Sequence, residues 1–390
     1  MSATRAIEAR DRTGDVASLF RLHAPDRRLA TDGIRSRLPA GPAATLGERV
    51  ATFFATPRSG PELLVGALPF DPHRDDALYQ PERFSTPGTG SLPSSLGPLC
   101  AAAELPPAAD YADAVARCVT MLRAASASAG DDALRKVVLA RGLRVEGAAP
   151  IDPHVLAVKL GSDASVTTYV VPLPVAPGEA PAWLVGATPE LLVSRRGRAV
   201  VSHPLAGSAR RVGNEAEDRR RTDGLLASDK DLHEHRFVVE AILDGLAPLC
   251  SQLQAPPRPS LHATATMWHL ATRITGTLKN ADISSATLAG VLHPTPAVCG
   301  TPRLPALQAI RDLEPFDRGF YAGAVGWTDA SGDGDWYVAI RCARVQGHAM
   351  HLFAGAGIVA DSQPALEVDE TAAKFMALRN ALGIDEARAA

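Results

Sequence analysis

The chain has 390 residues, of which 46% are hydrophobic, and a formal net charge of −3 with acidic and basic residues interspersed. This length and apolar content are enough for one large domain or two smaller ones, and the balanced charge argues against a surface for nucleic acid or an anionic membrane. No apolar run approaches the ~20 residues that span a bilayer, and the N-terminus lacks the apolar core of a signal peptide. We therefore expect a cytoplasmic monomer whose partner is a small molecule.

The first half of the chain is predicted to carry a helix followed by several strands. Apolar residues at helical spacing predict a helix over 111–127, and the run RKVVLARGLRV predicts a strand over 135–145 that carries Lys136. Further strands are predicted to follow one another through short turns over 183–187, 191–194 and 199–203. The stretch at 83–98 is rich in Pro, Gly and Ser and is the best candidate boundary.

The second half adds two helices and another group of strands. The helices are predicted to begin near Ser228 and Pro364, and the strands are predicted over 321–327, 336–343 and 348–353. Because strands mostly follow strands, we predict an α+β fold with antiparallel sheets flanked by helices, not a βαβ alternation.

Lysine is scarce in this sequence. Only five of the forty basic residues are lysine, and Lys136, Lys230 and Lys374 lie in or beside the segments richest in polar side chains. Lysine, unlike arginine, can lose its proton in a protein and act as a base. These positions are therefore explained either by chance or by a chemistry that needs an amine.

Both helices of the second half carry acidic pairs at a three-residue step. Asp231 and Glu234 share the face of the first helix that later becomes its apolar stripe. Glu367 and Glu370 repeat the step on the second helix, one turn before Lys374. Buried carboxylates need a compensating cation or protonation, which suggests a metal or a positive ligand, and four oxygen donors suit a hard ion such as Mg²⁺. The alternatives are acids that stabilise helix N-termini and a surface pair of Glu370 with Lys374.

The segment FAGAGIVA at 353–360 fits a Gly-x-Gly-x-x-Ala dinucleotide pattern, but its context does not. A dinucleotide fingerprint needs a βαβ unit, and only one helix follows here. Gly355 and Gly357 therefore either expose backbone N–H groups to an anion or form a tight turn.

Three further polar residues are candidates for a site. Glu190 opens a strand, and Arg341 interrupts an apolar strand, where its partner is either a protein carboxylate or an anionic substrate. His293 precedes a proline and is either a structural hydrogen-bonding residue or a functional one.

Eight segments in order resemble motifs of the chorismate-utilising enzymes, the superfamily of anthranilate synthase component I, and more narrowly those of isochorismate synthases. They are KVVLAR (136–141), GATPELLVS (186–194), SHPLAGSARR (202–211), SDKDLHEH (228–235), HPTPAVCGTPR (293–303), RGFYAGAVGW (318–327), YVAIRCA (337–343) and AGAGIV through ETAAK (354–374). The resemblance covers roughly residues 115–385. It implies antiparallel sheets packed as a sandwich, with a chorismate-binding catalytic domain over 111–386 and a variable N-terminal part of the same fold over 1–110.

The resemblance implies a Mg²⁺-dependent isomerisation in which water adds at C2 of chorismate while the C4 hydroxyl leaves. Lys136 would be the general base that activates water, and Glu190 the general acid that protonates the leaving hydroxyl. A lysine base must be neutral when it acts, and an enclosed site beside a cation favours that form. A partly apolar strand position would conversely let Glu190 keep its proton near neutral pH.

The resemblance also implies which residues bind metal and substrate. Glu234 and Glu370 would bind Mg²⁺ directly, with Asp231 and Glu367 in support directly or through water, and the ion would hold the ring carboxylate. The implied substrate-binding residues are Gly207, Ser208, His293, Ala297, Arg341, Gly355, Gly357 and Lys374. The cationic side chains among them, with the amides near Gly355, would receive the substrate carboxylates.

The segment PLAGS discriminates between nucleophiles. Relatives that make aminodeoxychorismate carry a nucleophilic lysine where this chain has Ala206, so a free nucleophile has room here. Anthranilate-type relatives also have alanine, but they usually lack the His-Pro opening at 293 and rely on a glutamine-amidotransferase partner. Water is therefore favoured, and the alternative is a 2-amino-2-deoxyisochorismate or anthranilate synthase that uses ammonia. The product would feed siderophore, menaquinone or salicylate synthesis.

Overall fold

The structure is a computed structural model, and it describes residues 19–85, 95–127 and 133–384. The stretch predicted as a boundary at 83–98 is described at its two ends only, since residues 86–94 lie outside the described residues. None of the helices in the described ranges is long and apolar enough to cross a membrane.

The described residues form 22 strands, most of which have four to seven residues. In chain order they are β1 (Phe20–Ala24), β2 (Arg27–Asp32), β3 (Ser36–Arg37), β4 (Leu63–Leu68), β5 (Ala77–Gln80), β6 (Arg83–Phe84), β7 (Leu99–Leu105), β8 (Lys136–Gly147), β9 (Thr167–Leu173), β10 (Ala182–Thr188), β11 (Leu191–Arg196), β12 (Ala199–His203), β13 (Leu205–Arg210), β14 (Cys250–Gln254), β15 (Ser260–Ala263), β16 (Met267–Ala271), β17 (Ile274–Leu278), β18 (Gly300–Thr301), β19 (Ala324–Asp329), β20 (Gly334–Val338), β21 (Cys342–Gln346) and β22 (Ala349–Ile358).

Eight α-helices accompany the strands within the described ranges. In chain order they are α1 (Leu46–Ala55), α2 (Ala108–Ala127), α3 (Pro153–Leu160), α4 (Glu215–Ala227), α5 (Asp229–Leu246), α6 (Ser285–Leu292), α7 (Arg303–Leu313) and α8 (Pro364–Leu382). The two acid-bearing helices begin where the sequence predicts. The Ser228 hydroxyl caps α5 by accepting a hydrogen bond from the backbone N–H of Asp231, and Pro364 is the first residue of α8.

Three antiparallel sheets organise the described elements. The first runs β18-β8-β22-β21-β10-β9-β1-β2-β6, with β7 also paired to β8. The second runs β14-β17-β12-β11-β20-β19-β4-β5-β3, and a small third sheet runs β13-β16-β15. The predicted α+β fold of antiparallel sheets flanked by helices is therefore confirmed.

The two large sheets share one apolar core. Leu22 and Val137 from the first sheet and Trp336 from the second belong to the same buried cluster. A second cluster includes Leu156 of α3 and Phe375 of α8, which cover the first sheet. Burial of apolar surface stabilises a fold by about 25 cal/mol per Å². The apolar side chains that α8 buries against the first sheet therefore hold this helix in place.

Strands from the first 110 residues take part in both large sheets. β1 pairs with β9 of the first sheet, and β4 pairs with β19 of the second. Phe20 and Leu64 lie in the shared core with side chains from the rest of the chain. The described residues before 110 therefore complete the same sandwich.

The strand predicted over 336–343 is wrong, because this segment forms two strands in different sheets. β20 ends at Val338 in the second sheet, and β21 begins at Cys342 in the first. Arg341, in the connection, has a φ of 49°, in the left-handed region that residues with a Cβ rarely adopt. The hydrophobic pattern does not reveal the break, since apolar residues are buried on both sides of it.

A second connection between the large sheets runs beside the first. β10 of the first sheet is followed by β11 of the second, with only residues 189–190 between them. β10 pairs with β21, and β11 pairs with β20. The backbone N–H of Val338 donates to the carbonyl of Glu190 at 3.1 Å, and that of Ala187 donates to the carbonyl of Arg341 at 3.2 Å. Glu190 and Arg341 are therefore held at the same junction.

A buried ion pair anchors β8. Arg318 Nη2 lies 2.5 Å from Glu314 Oε1, and their side chains are 2% and 4% exposed. Arg318 also donates to the carbonyl oxygens of Val138 at 2.7 Å and Val298 at 2.8 Å. Glu314 Oε1 accepts from the backbone N–H of Ala140 at 2.7 Å. Both charges are thus compensated by hydrogen bonds, which a buried ion pair requires.

We expect Arg318→Met to lower the free energy of unfolding by about 3–5 kcal/mol, because Glu314 would remain buried without its cation. The matched control is Arg74→Ala, whose ion pair with Asp317 has side chains 67% and 66% exposed. This substitution should change the free energy of unfolding by less than ~0.5 kcal/mol. Urea unfolding followed by circular dichroism measures both variants, and equal effects would contradict the anchoring role of Arg318.

Candidate functional site

A cavity of about 260 Å³ lies between the junction of the large sheets, the third sheet and helices α5 and α8. Many residues predicted for the site line it, namely Glu190, Gly207, Ser208, Asp231, Glu234, Ala297, Arg341, Gly355, Gly357, Glu370 and Lys374. Lys136 and Glu367 lie behind this lining, in ion pairs with the lining residues Glu234 and Lys230. Motifs scattered over the sequence therefore converge on one cavity.

Glu190 is a buried acid at the junction of the sheets, with an exposed fraction of 2%. Burial raises the pKa of Glu190 to about 8. The backbone N–H of Leu205 and the charges of Lys136 and Arg341 oppose this increase without cancelling it. At pH 7 the carboxyl group is mostly protonated, so it can donate a proton to a bound molecule.

Arg341 presents a guanidinium group to the cavity. Its Nη2 donates to Nε2 of His269, a residue of β16. Burial lowers the pKa of His269 well below its ordinary value, and the charge of Arg341 acts in the same direction, so the ring is neutral. Burial also lowers the pKa of Arg341 to about 10, against the charges of Asp163 and Glu190. A guanidinium bonded to a neutral imidazole keeps its charge for an anionic ligand.

Each of three lysines pairs with one carboxylate of α5 or α8. Lys136 Nζ lies 2.9 Å from Glu234 Oε1, Lys230 Nζ lies 3.0 Å from Glu367 Oε1, and Lys374 Nζ lies 2.7 Å from Glu370 Oε1. Lys374 also donates to the carbonyl of Gly355 at 2.7 Å. The three lysines singled out in the sequence therefore belong to a single cluster of charges.

All three of these lysines act on Glu234. Burial raises the pKa of Glu234, but the charge and hydrogen bond of Lys136 lower it, and Lys230 and Lys374 add to that effect. The net result is a pKa below the ordinary value. Glu234 is therefore an anion at neutral pH despite its position in the wall.

The other carboxylates of the cluster repel one another. Burial raises the pKa of Asp231, and the negative charges of Glu234 and Glu370 act in the same direction. Burial likewise raises the pKa of Glu367, and Glu370 adds to that increase. A cation placed among these groups would relieve the repulsion.

The chemistry of the cluster fits a hard cation. Asp231, Glu234 and Glu370 face one cavity and offer carboxylate oxygens, which Mg²⁺ prefers as ligands. In the part of the chain that the structure describes, no group of three His, Cys, Asp or Glu side chains is arranged to hold a metal ion. Glu234 and Glu370 are instead turned toward lysines. A cation would therefore compete with ammonium groups for these oxygens.

Gly357 makes room for the ion pair in the cavity wall. A Cβ at this position would lie 2.1 Å from Glu234 Oε1 and 3.1 Å from Lys136 Cε. The tight turn considered for Gly355 and Gly357 is wrong, since both lie within β22 and pair with β8. Gly357 is therefore needed here for its missing side chain, in addition to any backbone contact with a ligand.

His293 lies outside the cavity lining, so its position does not support the expected role in substrate binding. Its side chain is buried, and Nε2 makes a hydrogen bond of 2.8 Å with the carbonyl of Pro69. Burial lowers the pKa of His293 to about 4, so a neutral ring donates to that carbonyl. These contacts support the alternative in which His293 is a structural hydrogen-bonding residue.

Several lining residues were not identified from the sequence. Tyr321 and Phe353 stack with ring centroids 4.5 Å apart and planes 11° apart, and both line the cavity. His269 faces the site because β16 pairs with β13, where His269 lies opposite Ser208. The available signal was a histidine within the apolar strand MWHLA, which is equally typical of a core histidine.

Comparisons with known proteins show the family of this chain. The family model described as Chorismate binding enzyme matches residues 101–383. Isochorismate synthase DhbC of Bacillus subtilis (strain 168) is 40% identical over 381 residues, covering 94% of this chain and 94% of that protein. These similarities extend over most of the chain, including the described strands that precede residue 110.

Solved structures share the architecture. A crystal structure from Bacillus anthracis, described as DhbC, a 2,3-dihydroxybenzoate-specific isochorismate synthase, is 39% identical with a TM-score of 0.86, covering 96% of this chain and 98% of that one. Anthranilate synthase component I from Streptococcus pneumoniae TIGR4 is 20% identical with a TM-score of 0.66, covering 97% of this chain and 94% of that one. The second likeness concerns the fold alone.

We expect Gly357→Ala to separate Glu234 from Lys136, because the added Cβ would lie 2.1 Å from Glu234 Oε1. An unpaired buried ammonium and overpacking should lower the free energy of unfolding by about 2–4 kcal/mol. Gly355→Ala is the matched control, since the nearest atoms to its Cβ lie 3.2 Å away, and it should lower that free energy by only about 1 kcal/mol. Urea unfolding and a crystal structure of the Gly357 variant test this, and an intact ion pair would contradict it.

Proposed function

We propose that this chain, which belongs to the chorismate binding enzymes and within them to the isochorismate synthases, converts chorismate to isochorismate with water as the nucleophile and Mg²⁺ as cofactor. Water adds at C2 while the C4 hydroxyl leaves, so the product is an isomer of the substrate. The enzyme would therefore be an isomerase.

The observation that carries this proposal is the protonated carboxyl group of Glu190 in a cavity that also holds Arg341. A hydroxyl group leaves carbon far more readily when it receives a proton, and a carboxyl group with a pKa of about 8 can supply one at neutral pH. Arg341 is held at the same junction of the sheets and lies close enough for its charge to act on Glu190. The site thus combines an acid for the leaving group with a cation for an anionic substrate.

Lys136 is the proposed general base. It is fully buried on β8, close enough to Glu190 for its charge to act on that carboxyl group. Its amine can take a proton from water only when neutral, and arginine cannot adopt that form. The water proton would pass to Lys136 while Glu190 protonates the hydroxyl that leaves C4, so the protons balance.

The cavity matches the chemistry of chorismate, which has two carboxylates and an unsaturated ring. Arg341 and Lys374 would receive carboxylates. Tyr321, Phe353 and Ala297 offer apolar surface to the ring. Backbone N–H groups near Gly355 remain candidates for further contacts with a carboxylate.

For the cofactor, we propose that Glu234 and Glu370 bind Mg²⁺ and that Asp231 and Glu367 support it. The support for this is the donor chemistry of the cluster and the raised pKa of Asp231, which comes first from burial and then from the negative charges of Glu234 and Glu370. When bound, the ion would supply positive charge for the ring carboxylate of the substrate.

The alternative that uses ammonia is not favoured. The relative that is 40% identical over 94% of this chain is named an isochorismate synthase, whereas anthranilate synthase component I shares only the fold. Ala206 lines the cavity and carries no nucleophile of its own, which leaves room for a free one. Water is therefore the nucleophile that we propose.

The proposal predicts isochorismate when the purified protein is incubated with chorismate and Mg²⁺, with or without ammonium. Chromatography with mass spectrometry identifies the product, and EDTA should abolish its formation. Lys136→Arg keeps the positive charge but cannot act as a base, so turnover should fall by about 10²-fold or more. Anthranilate, or turnover only in the ammonium sample, would defeat the proposal.

The rate should depend on pH through Glu190, which acts in its protonated form. Because the pKa of Glu190 is raised to about 8, the protonated fraction falls as pH rises through that value. We therefore expect kcat/KM to decline above about pH 8. Glu190→Gln, which keeps the shape but has no acidic proton, should lose about 10²–10⁴-fold in activity and show no such decline. A wild-type profile that stays level to about pH 9.5 would remove Glu190 as the acid.

A further inference from the structure

Lys230 joins the two acid-bearing helices. It lies on α5 beside Asp231, and its Nζ reaches 3.0 Å from Glu367 Oε1 on α8. The side chain of Glu367 is only 1% exposed, whereas that of Lys230 is 42% exposed and lines the cavity. The charge of Lys230 also acts on Glu234 and Glu370. Lys230 thus spans the same carboxylates for which Mg²⁺ is proposed.

The acidic cluster is nearly neutral without any metal ion. It contains four carboxylates, Asp231, Glu234, Glu367 and Glu370, and the ammonium groups of three lysines. Lys136, Lys230 and Lys374 together leave one negative charge uncompensated. A divalent cation that entered this arrangement unchanged would meet three positive charges at close range, which opposes its binding.

The three lysines differ in their freedom to move away from such a cation. Lys136 is 0% exposed, so its ammonium has no route into water. Lys374 is 31% exposed but is also bonded to the carbonyl of Gly355. Lys230 is the most exposed of the three, and its ammonium donates a hydrogen bond to Glu367. Lys230 can therefore return its charge to solvent at the lowest cost.

We propose that Lys230 is a built-in counter-ion of the carboxylate cluster. In the metal-free protein its ammonium bridges α5 and α8 and compensates the buried Glu367, and it turns out to solvent when a divalent cation binds. This inference rests on the magnesium site of the proposed function. Its consequence is that Lys230 weakens metal binding by the substrate-free protein while stabilising the metal-free fold.

The test measures metal binding and stability, not turnover. Isothermal titration of Mg²⁺ into substrate-free full-length protein should give a Kd about tenfold lower for Lys230→Met than for the wild type, which corresponds to ~1.4 kcal/mol of removed competition. In EDTA the same variant should unfold at a temperature lower by roughly 2–4 °C, because Glu367 loses its cation. Saturating Mg²⁺ should then raise its unfolding temperature by more than it raises that of the wild type.

Two variants serve as controls. Lys230→Arg keeps the charge and should bind Mg²⁺ within about twofold of the wild type. Lys159→Met removes a lysine that does not line the cavity, and its Kd should equal that of the wild type. If Lys230→Met fails to fold, Lys230→Arg still provides a folded protein altered at position 230. A clearly lower Kd for Mg²⁺ in Lys230→Arg would overturn the inference, because this variant keeps the positive charge.

The outcomes separate this inference from the proposed function. Equal or weaker Mg²⁺ binding by Lys230→Met, with isochorismate still formed by the wild type, would overturn the counter-ion role and leave the function intact. If neither protein binds Mg²⁺, the inference and the magnesium assignment both fail. Tighter binding by Lys230→Met together with lower stability in EDTA supports the inference.

Discussion

Two backbone hydrogen bonds hold together the places where the chain passes between the large sheets, and the site depends on them. They join Val338 to Glu190 and Ala187 to Arg341. Each bond links one connection to the other, so neither connection can shift without disturbing the pairing of the strands on either side of it. The buried carboxyl group of Glu190 and the cavity-lining Arg341 are therefore positioned by the sandwich itself.

The charges of the cavity are organised by burial. For Glu190, the nearby positive charges do not offset the effect of burial, so this carboxyl group keeps its proton at neutral pH. Glu234 lies against Lys136 and loses its proton. Two glutamates in one enclosed space thus take opposite protonation states because their neighbours differ. Lys230 belongs to the same set of charges and is the most exposed of the three lysines that pair with these carboxylates.

The hydrophobic pattern predicts the local elements of this fold well. The helix expected over 111–127 spans 108–127, and the strand expected over 135–145 spans 136–147. The pattern fails between 336 and 343, because a buried segment has the same run of apolar residues whether it stays in one sheet or passes from one sheet to another. Only tertiary pairing shows that Arg341 lies at such a change, and β-sheet register is not encoded in local periodicity.

The site was predictable mainly through its ordered motifs. They identified Lys136, Glu190 and the acids of α5 and α8, because each motif carries a polar residue at a fixed place among apolar ones. His293 lies outside the cavity lining, and a histidine before proline looks the same in sequence whether it faces a ligand or a backbone carbonyl. Lys230 and His269 contact Glu367 and Arg341, which are far away in the chain, and sequence proximity does not reveal such partners.

The left-handed backbone of Arg341 has a consequence for engineering this protein. A residue with a Cβ in that region carries a steric penalty of order 1 kcal/mol, which glycine would avoid. The sequence instead keeps an arginine whose guanidinium faces the cavity. A glycine here would relieve the backbone but remove the guanidinium from the cavity, so substitutions that raise thermal stability are better sought on the outer faces of the helices.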